Sequence, residues 1–199
     1  MKSDLTRRSF VGSAVSLVAL SAHPALALSS DEARKLIDRV VGDINSVINS
    51  GKSQNSMFRD FENVFRRYAD VPTIARSALG PPARTASKSQ IKQFSNAFTG
   101  YLARKYGRRF REFIGGKIRV TGARKVKSFQ EVQAVADLRG QPPFAISFMV
   151  SDRSGSDRFF DLLIEGISLL KSERAEIGTM LDRRRGDIDA LIKDLSKTG

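Results

Sequence analysis

The spacing of apolar residues changes period twice along this chain, and that change limits the folds open to it. Ser29 and Glu32 form a capping-box pattern ahead of Ala33, Leu36, Ile37, Val40, Val41, Ile44, Val47 and Ile48, which recur as one face of a helix. Asn49-Ser50-Gly51 ends that stripe. A second helical stripe, from about Ser56 to Tyr68, carries Met57, Phe58, Phe61, Val64, Phe65 and Tyr68. Asp70 can cap a short helix over Val71 to Leu79, closed by Gly80-Pro81-Pro82. Ser87 with Gln90 then opens a long helix through about Ile114. Its buried side is marked by Ile91, Phe94, Phe98, Tyr101, Leu102, Tyr106, Phe110 and Phe113, and its exposed side by Arg104, Lys105, Arg108, Arg109 and Arg111.

After Gly115-Gly116 the period becomes two. Ile118, Val120 and Gly122 alternate with Lys117, Arg119 and Thr121; Val132, Ala134, Ala136 and Leu138 alternate again. Ala145 to Val150 and Phe159 to Ile164 are two further strands, and short Gly, Pro and Ser-rich loops separate them. Four consecutive strands with short loops read as an antiparallel meander. Helical spacing returns from about Leu169 to Arg184 and, after Gly186-Asp187, from Ile188 to Leu195. The expected fold is α+β: N-terminal helices, a four-stranded curved antiparallel sheet and C-terminal helices, with an apolar pocket between sheet and helices.

Residues 1–27 have a different character. Lys2, Arg7 and Arg8 precede an apolar run from Phe10 to Ala22 and a small-x-small site at Ala25-Leu26-Ala27, the three-part layout of a secretory signal peptide. The run is too short to span a bilayer. Thr6-Arg7-Arg8-Ser9-Phe10-Val11 resembles the twin-arginine export signal. The expected division is a signal peptide at 1–27 and a single domain at 28–199, exported from the cytoplasm. Removing the signal takes away His23, the one histidine, in a chain that has no cysteine. Catalysis by Ser-His-Asp or a cysteine nucleophile, and zinc held by imidazole or thiolate, are thereby excluded from the exported part, and no cofactor or metal is expected.

Two features point toward function. The last two strands are apolar on both faces: Phe144, Ile146, Phe148 and Val150 oppose Ala145 and Met149, while Phe160, Leu162 and Ile164 oppose Phe159 and Leu163. A sheet with helices on one side needs only one apolar face, so the excess calls for helix cover, a partner or a ligand. The second feature is charge. With 34 Lys and Arg against 21 Asp and Glu the chain carries +13, about +11 once the signal is gone, which suits an anionic partner. Nucleic acid is not expected, because the basic residues are not interleaved with exposed aromatics. A small isomerase-like enzyme is the rival class. It would have to work with Tyr68, Tyr101, Tyr106, Asp161 and Glu165, and Asp161 and Glu165 read instead as surface partners for arginine.

Asp70-Val71-Pro72-Thr73-Ile74-Ala75, Ala78-Leu79-Gly80, then Ser87, Gln90, Phe94, Phe98, Leu102 and Tyr106 resemble the MlaC family. So do Phe160-Asp161-Leu162-Leu163-Ile164-Glu165-Gly166-Ile167-Ser168-Leu169 with Arg174, and the final Gly186-Asp187-Ile188-Asp189 with Leu191-Ile192 and Leu195. The resemblance implies a periplasmic phospholipid-binding protein, with a branch linked to hopanoids. It further implies a partly closed pocket for acyl chains, and shuttling between an inner-membrane MCE-protein ABC transporter and an outer-membrane lipoprotein–porin complex. The lipid-binding residues expected here are Phe65, Phe98, Leu102, Phe144, Ile146, Phe148, Phe160, Leu162 and Ile164; Arg104, Arg108 and Arg111 are expected to serve docking. Glycerophospholipid and hopanoid both remain open as cargo.

Overall fold

The computed structural model describes residues 28–108 and 110–198, without the side chains of residues 110 and 111. The expected signal segment at 1–27 lies outside the described residues. In chain order the elements are α1 (Ser30–Ile48), α2 (Gln54–Tyr68), α3 (Val71–Leu79), a 3-10 turn (Pro81–Arg84), α4 (Lys88–Gly107) and the single turn α5 (Phe110–Phe113). Then come β1 (Lys117–Val126), β2 (Phe129–Asp137), β3 (Phe144–Ser151), β4 (Arg158–Ile164) and β5 (Ile167–Ser168), followed by α6 (Leu169–Asp182) and α7 (Ile188–Leu195). The strands form one antiparallel sheet in the order β1-β2-β3-β4-β5.

The helices start where side chains can replace missing backbone partners. Ser29 Oγ accepts from the Glu32 N–H, and the Glu32 carboxylate accepts from the Ser29 hydroxyl at 2.6 Å and from the Ser29 N–H at 2.9 Å, which together hold the Glu32 carboxyl below the usual range. The same reciprocal pair joins Ser87 and Gln90. Asp70, Ser168 and Asp187 each cap a helix with the side-chain oxygen alone.

Three expectations need correction. The long helix ends at Gly107 rather than near Ile114. A Cβ built on Gly107 would lie 2.4 Å from Phe58 Cδ1, so the end of α4 approaches α2 as closely as a glycine backbone allows. The sheet has a fifth strand, because Glu165 and Gly166, with φ of 49° and 79°, turn the chain tightly and return Ile167 and Ser168 alongside Ile164 and Leu163. Finally, the β3–β4 register shifts between Met149 and Val150. This bulge sets Phe159 opposite Val150, so Phe159 joins the face that carries Phe148, instead of opposing it.

That face meets the helices. Val132, Ala134, Ala136, Ile146, Phe148 and Val150 are all buried on it and share one core cluster with Ile37 and Val40 of α1 and Phe94 and Phe98 of α4. Helix α1 lies across β1 and β2, and α2, α3 and α7 gather around α4. Two polar clamps tie the layers. Asn45 on α1 donates to Ile118 O at 2.8 Å and accepts from Ile118 N at 2.9 Å, as a neighbouring strand would. At the other edge Asp70 N donates to Phe159 O at 2.8 Å, and Arg158 donates to Arg67 O and Ala69 O at 2.9 and 3.2 Å.

The contact at Gly107 can be measured. Gly107→Ala should lower the unfolding free energy by about 1–2 kcal/mol through overpacking, although alanine is the better helix former by about 1 kcal/mol. In a Phe58→Ala background the same change should be neutral or stabilising. Urea denaturation of the four proteins checks this; an equal loss in both backgrounds would mean that Phe58 is not what excludes a side chain there.

Candidate functional site

Between the helices and the buried face of the sheet lies a cavity of about 570 Å³, within the range of about 300–1,000 Å³ usual for ligand sites. Helix α1 contributes Val40, Ile44 and Ile48; α2 contributes Phe61, Val64 and Phe65; α4 contributes Phe98, Leu102 and Ala103. The sheet supplies Ile118, Phe144, Ile146, Phe148, Phe159, Leu162 and Ile164, and α6 supplies Leu169 and Leu170.

The rings that border this space brace one another instead of filling it. Phe159 stands edge-on to Phe65 and to Phe148, with centroids 5.8 Å apart in both pairs. Phe98 is stacked between Phe94 and Tyr101 at 5.4 and 6.2 Å, and Phe113 meets Phe144 edge-on at 6.5 Å. A ring held by two neighbours has no rotamer free with which to collapse inward. One end of the cavity is closed by Phe98 and Phe148, both buried. The other end opens past β5 and α5, where Glu112 and Gln141 are exposed and Ile167 is 65% exposed.

All nine residues expected to touch lipid border this one cavity. Phe160 does so from the bulge, while its ring packs edge-on against Phe129 of β2 at 5.5 Å. Phe159 was not among the nine, because strict alternation sets it on the opposite face; only the bulge brings it in. The α1 residues were visible as a buried stripe, but periodicity does not say which stripe flanks an opening.

Polar side chains collect where α4 meets α6. Lys105 Nζ donates to Glu173 Oε1 at 2.7 Å and to Glu176 Oε2 at 2.5 Å, Tyr101 donates to Glu176, and Tyr106 donates to Glu173. Burial alone would lower the Lys105 pKa, but its bonds to Glu173 and Glu176 outweigh burial and raise it. Burial, reinforced by the carboxylates, pushes both tyrosines upward. Burial would raise Glu176, yet the bonds from Lys105 and Tyr101 bring it below the ordinary range. Both tyrosines therefore stay protonated at neutral pH, the wrong direction for the general base that the enzyme reading needs.

Other expected roles change. Among the described side chains, Asp161 and Glu165 have no arginine partner. Asp161 accepts from Ser168 Oγ at 2.5 Å and from the N–H groups of Leu162 and Leu170 at 2.8 and 3.0 Å, and Glu165 accepts from Ala145 N. Arg104, expected on an exposed docking face, is half-buried and donates to Leu195 O at 2.5 Å and to Thr198 O at 2.8 Å, satisfying carbonyls at the end of α7. Arg108 is exposed, and the Arg111 side chain lies outside the described ones. Several other basic residues sit in ion pairs, Arg66 with Glu62, Arg67 with Asp43, Arg124 with Glu131 and Arg184 with Asp194.

Lys105→Met should cost about 2–3 kcal/mol at pH 7, because it strands the buried Glu173 carboxylate. The gap to the parent should narrow on acidification. The stability that Glu176 contributes through its depressed pKa is present above the unfolded carboxylate pKa and is lost as pH falls through the folded value. Denaturation of both proteins from pH 7 down to about pH 3, below the unfolded carboxylate pKa, checks this, and a constant gap would contradict it.

Among the described residues no helix is long and apolar enough to cross a membrane. A family model, MlaC protein, matches residues 34–197. The fold is similar to that of the phospholipid-binding protein from Ralstonia solanacearum, solved in complex with a phospholipid. The TM-score is 0.71 at 18% sequence identity, covering 83% of this chain and 95% of that one.

Proposed function

Since the chain belongs to the MlaC family, we propose that it is a periplasmic carrier that binds lipid acyl chains in the cavity between helices and sheet. The observation that carries this reading is the cavity itself: closed at one end, open at the other, and walled by braced apolar side chains. A two-chain lipid exposes about 30 methylenes, and at roughly 0.8 kcal/mol each its free passage through water costs over about 20 kcal/mol. Burial in the cavity replaces that cost. Dispersion contacts from Phe, Ile, Leu and Val accept chains of differing length without directional demands. The structural neighbour from Ralstonia solanacearum, described as phospholipid-binding, supports lipid as the ligand class.

On this reading residues 1–27 are an export signal, and the carrier shuttles lipid between an inner-membrane MCE-protein ABC transporter and an outer-membrane lipoprotein–porin complex. Phe65, Phe98, Leu102, Phe144, Ile146, Phe148, Phe160, Leu162 and Ile164 line the lipid, joined by Phe159. The positive excess serves encounter rather than retention. Long-range attraction raises association rates and fades over a Debye length of about 8 Å at physiological salt.

Two experiments test the proposal. Ile164→Asp should fold and purify without lipid, and so should Phe148→Asp to the extent that it folds without its ring contact to Phe159, because a carboxylate in an apolar cavity admits water where chains would lie. Extraction of purified protein and lipid quantification by mass checks it; folded variants with the parent's lipid content would refute this use of the cavity. Stopped-flow transfer to anionic vesicles should slow steeply with added salt, and more gently when Arg108 and Arg111 are both glutamine, with lipid retention unchanged in either case. A rate independent of ionic strength would mean that docking does not use this charge.

A further inference from the structure

One buried polar group on the cavity wall is left over. Thr99 Oγ1 donates to Ser95 O at 2.7 Å, the Tyr106 hydroxyl donates to Glu173, Asp161 is satisfied by three donors, and Glu112 also has a partner. Glu173 is 2% exposed and borders the cavity. Its Oε1 accepts from both Lys105 and Tyr106, whereas its Oε2 is buried without any hydrogen-bond partner, alone among the buried side-chain nitrogen and oxygen atoms described. A buried carboxylate oxygen with no donor is costly to keep. The charge around it is also unbalanced, since one ammonium, Lys105, serves two carboxylates, Glu173 and Glu176.

The position of Glu173 suits a ligand contact. It lies one helical turn along α6 from Leu169 and Leu170, which border the cavity behind the exposed Ile167 at its open end. The closed end, at Phe98 and Phe148, is apolar. An amphiphile whose chains enter toward Phe98 brings its polar end toward the α4–α6 wall. We propose that Glu173 Oε2 accepts a hydrogen bond from the ligand, so that the cavity selects lipids whose polar end carries a donor, an ammonium or a hydroxyl, over lipids without one. This deepens the carrier reading and rests on it.

The test is pairwise competition for delipidated protein, read by native mass spectrometry, with lipids of identical acyl chains. Phosphatidylethanolamine is set against phosphatidylcholine, and phosphatidylglycerol against phosphatidylmethanol; within each pair only the first carries the donor. A charge-assisted hydrogen bond should give the donor lipid an advantage of about ten-fold or more in at least one pair. The pair that responds tells ammonium from hydroxyl. Glu173→Gln keeps an acceptor for Lys105 and Tyr106 and turns its amide N–H groups to the position of Oε2, so the preference should vanish or reverse. Glu176→Gln makes the same charge change away from the cavity and should leave the preference intact.

Equal binding within both pairs by the parent protein overturns the proposal while the carrier reading stands, and needs no variant to fold. A preference that survives in Glu173→Gln, or that is lost equally in Glu176→Gln, also overturns it. If none of the four lipids binds, the reading as a glycerophospholipid carrier fails, and this proposal with it.

Discussion

Phe159 joins the two layers of this protein and also keeps them apart. Its ring stands edge-on to Phe65 from α2 and to Phe148 from β3, and its carbonyl accepts the N–H of Asp70, the residue that caps α3. Each ring pair contributes about 0.5–1.5 kcal/mol beyond simple burial. Their geometric effect matters more: three rings placed edge to face span the gap between helix and sheet. They depend on the bulge between Met149 and Val150, which turns Phe159 onto the helix-facing side. Without it the ring would face away, and the helices would have nothing rigid to rest on at that edge.

The functional properties follow from this bracing. A close-packed interior has few voids larger than a water molecule, so a cavity of about 570 Å³ must be held open by its walls. Here the walls are aromatic residues that support each other and α1 residues clamped through Asn45 to β1. The polar cluster of Tyr101, Lys105, Tyr106, Glu173 and Glu176 fastens α4 to α6 beside the cavity while leaving the apolar wall largely unbroken. The side chain in that cluster that borders the cavity with an unmet oxygen, Glu173, is also the one placed to read a ligand.

Much of this was legible in the residues, and the remainder has physical reasons. Local signals served well: the capping pair Ser29 and Glu32, Asp70 before α3 and Asp187 before α7 all start helices where they were expected. Hydrophobic periodicity also collected nine residues that border one cavity. What was missed depends on contacts distant in sequence. The close approach of Phe58 to Gly107 at the end of α4 joins two helices distant in sequence, and Phe159 changes face because of a register shift with β3. Arg104 looks like a free cation in the sequence, but the end of α7 comes within its reach. The fifth strand hangs on Glu165 adopting a positive φ, which β-turn chemistry assigns to glycine or asparagine before glutamate.

The central claim, that acyl chains occupy the space between α4 and the sheet, is tested most directly by photo-crosslinking. The probe is phosphatidylethanolamine with a diazirine near the end of one chain, bound to the purified protein, irradiated and mapped by peptide mass spectrometry. Adducts should fall on the cavity wall at its closed end, on the α4 peptide that holds Phe98 and Leu102 and the β3 peptide that holds Ile146 and Phe148. Adducts confined to the exposed helix surfaces, or spread evenly over the chain, would contradict the account.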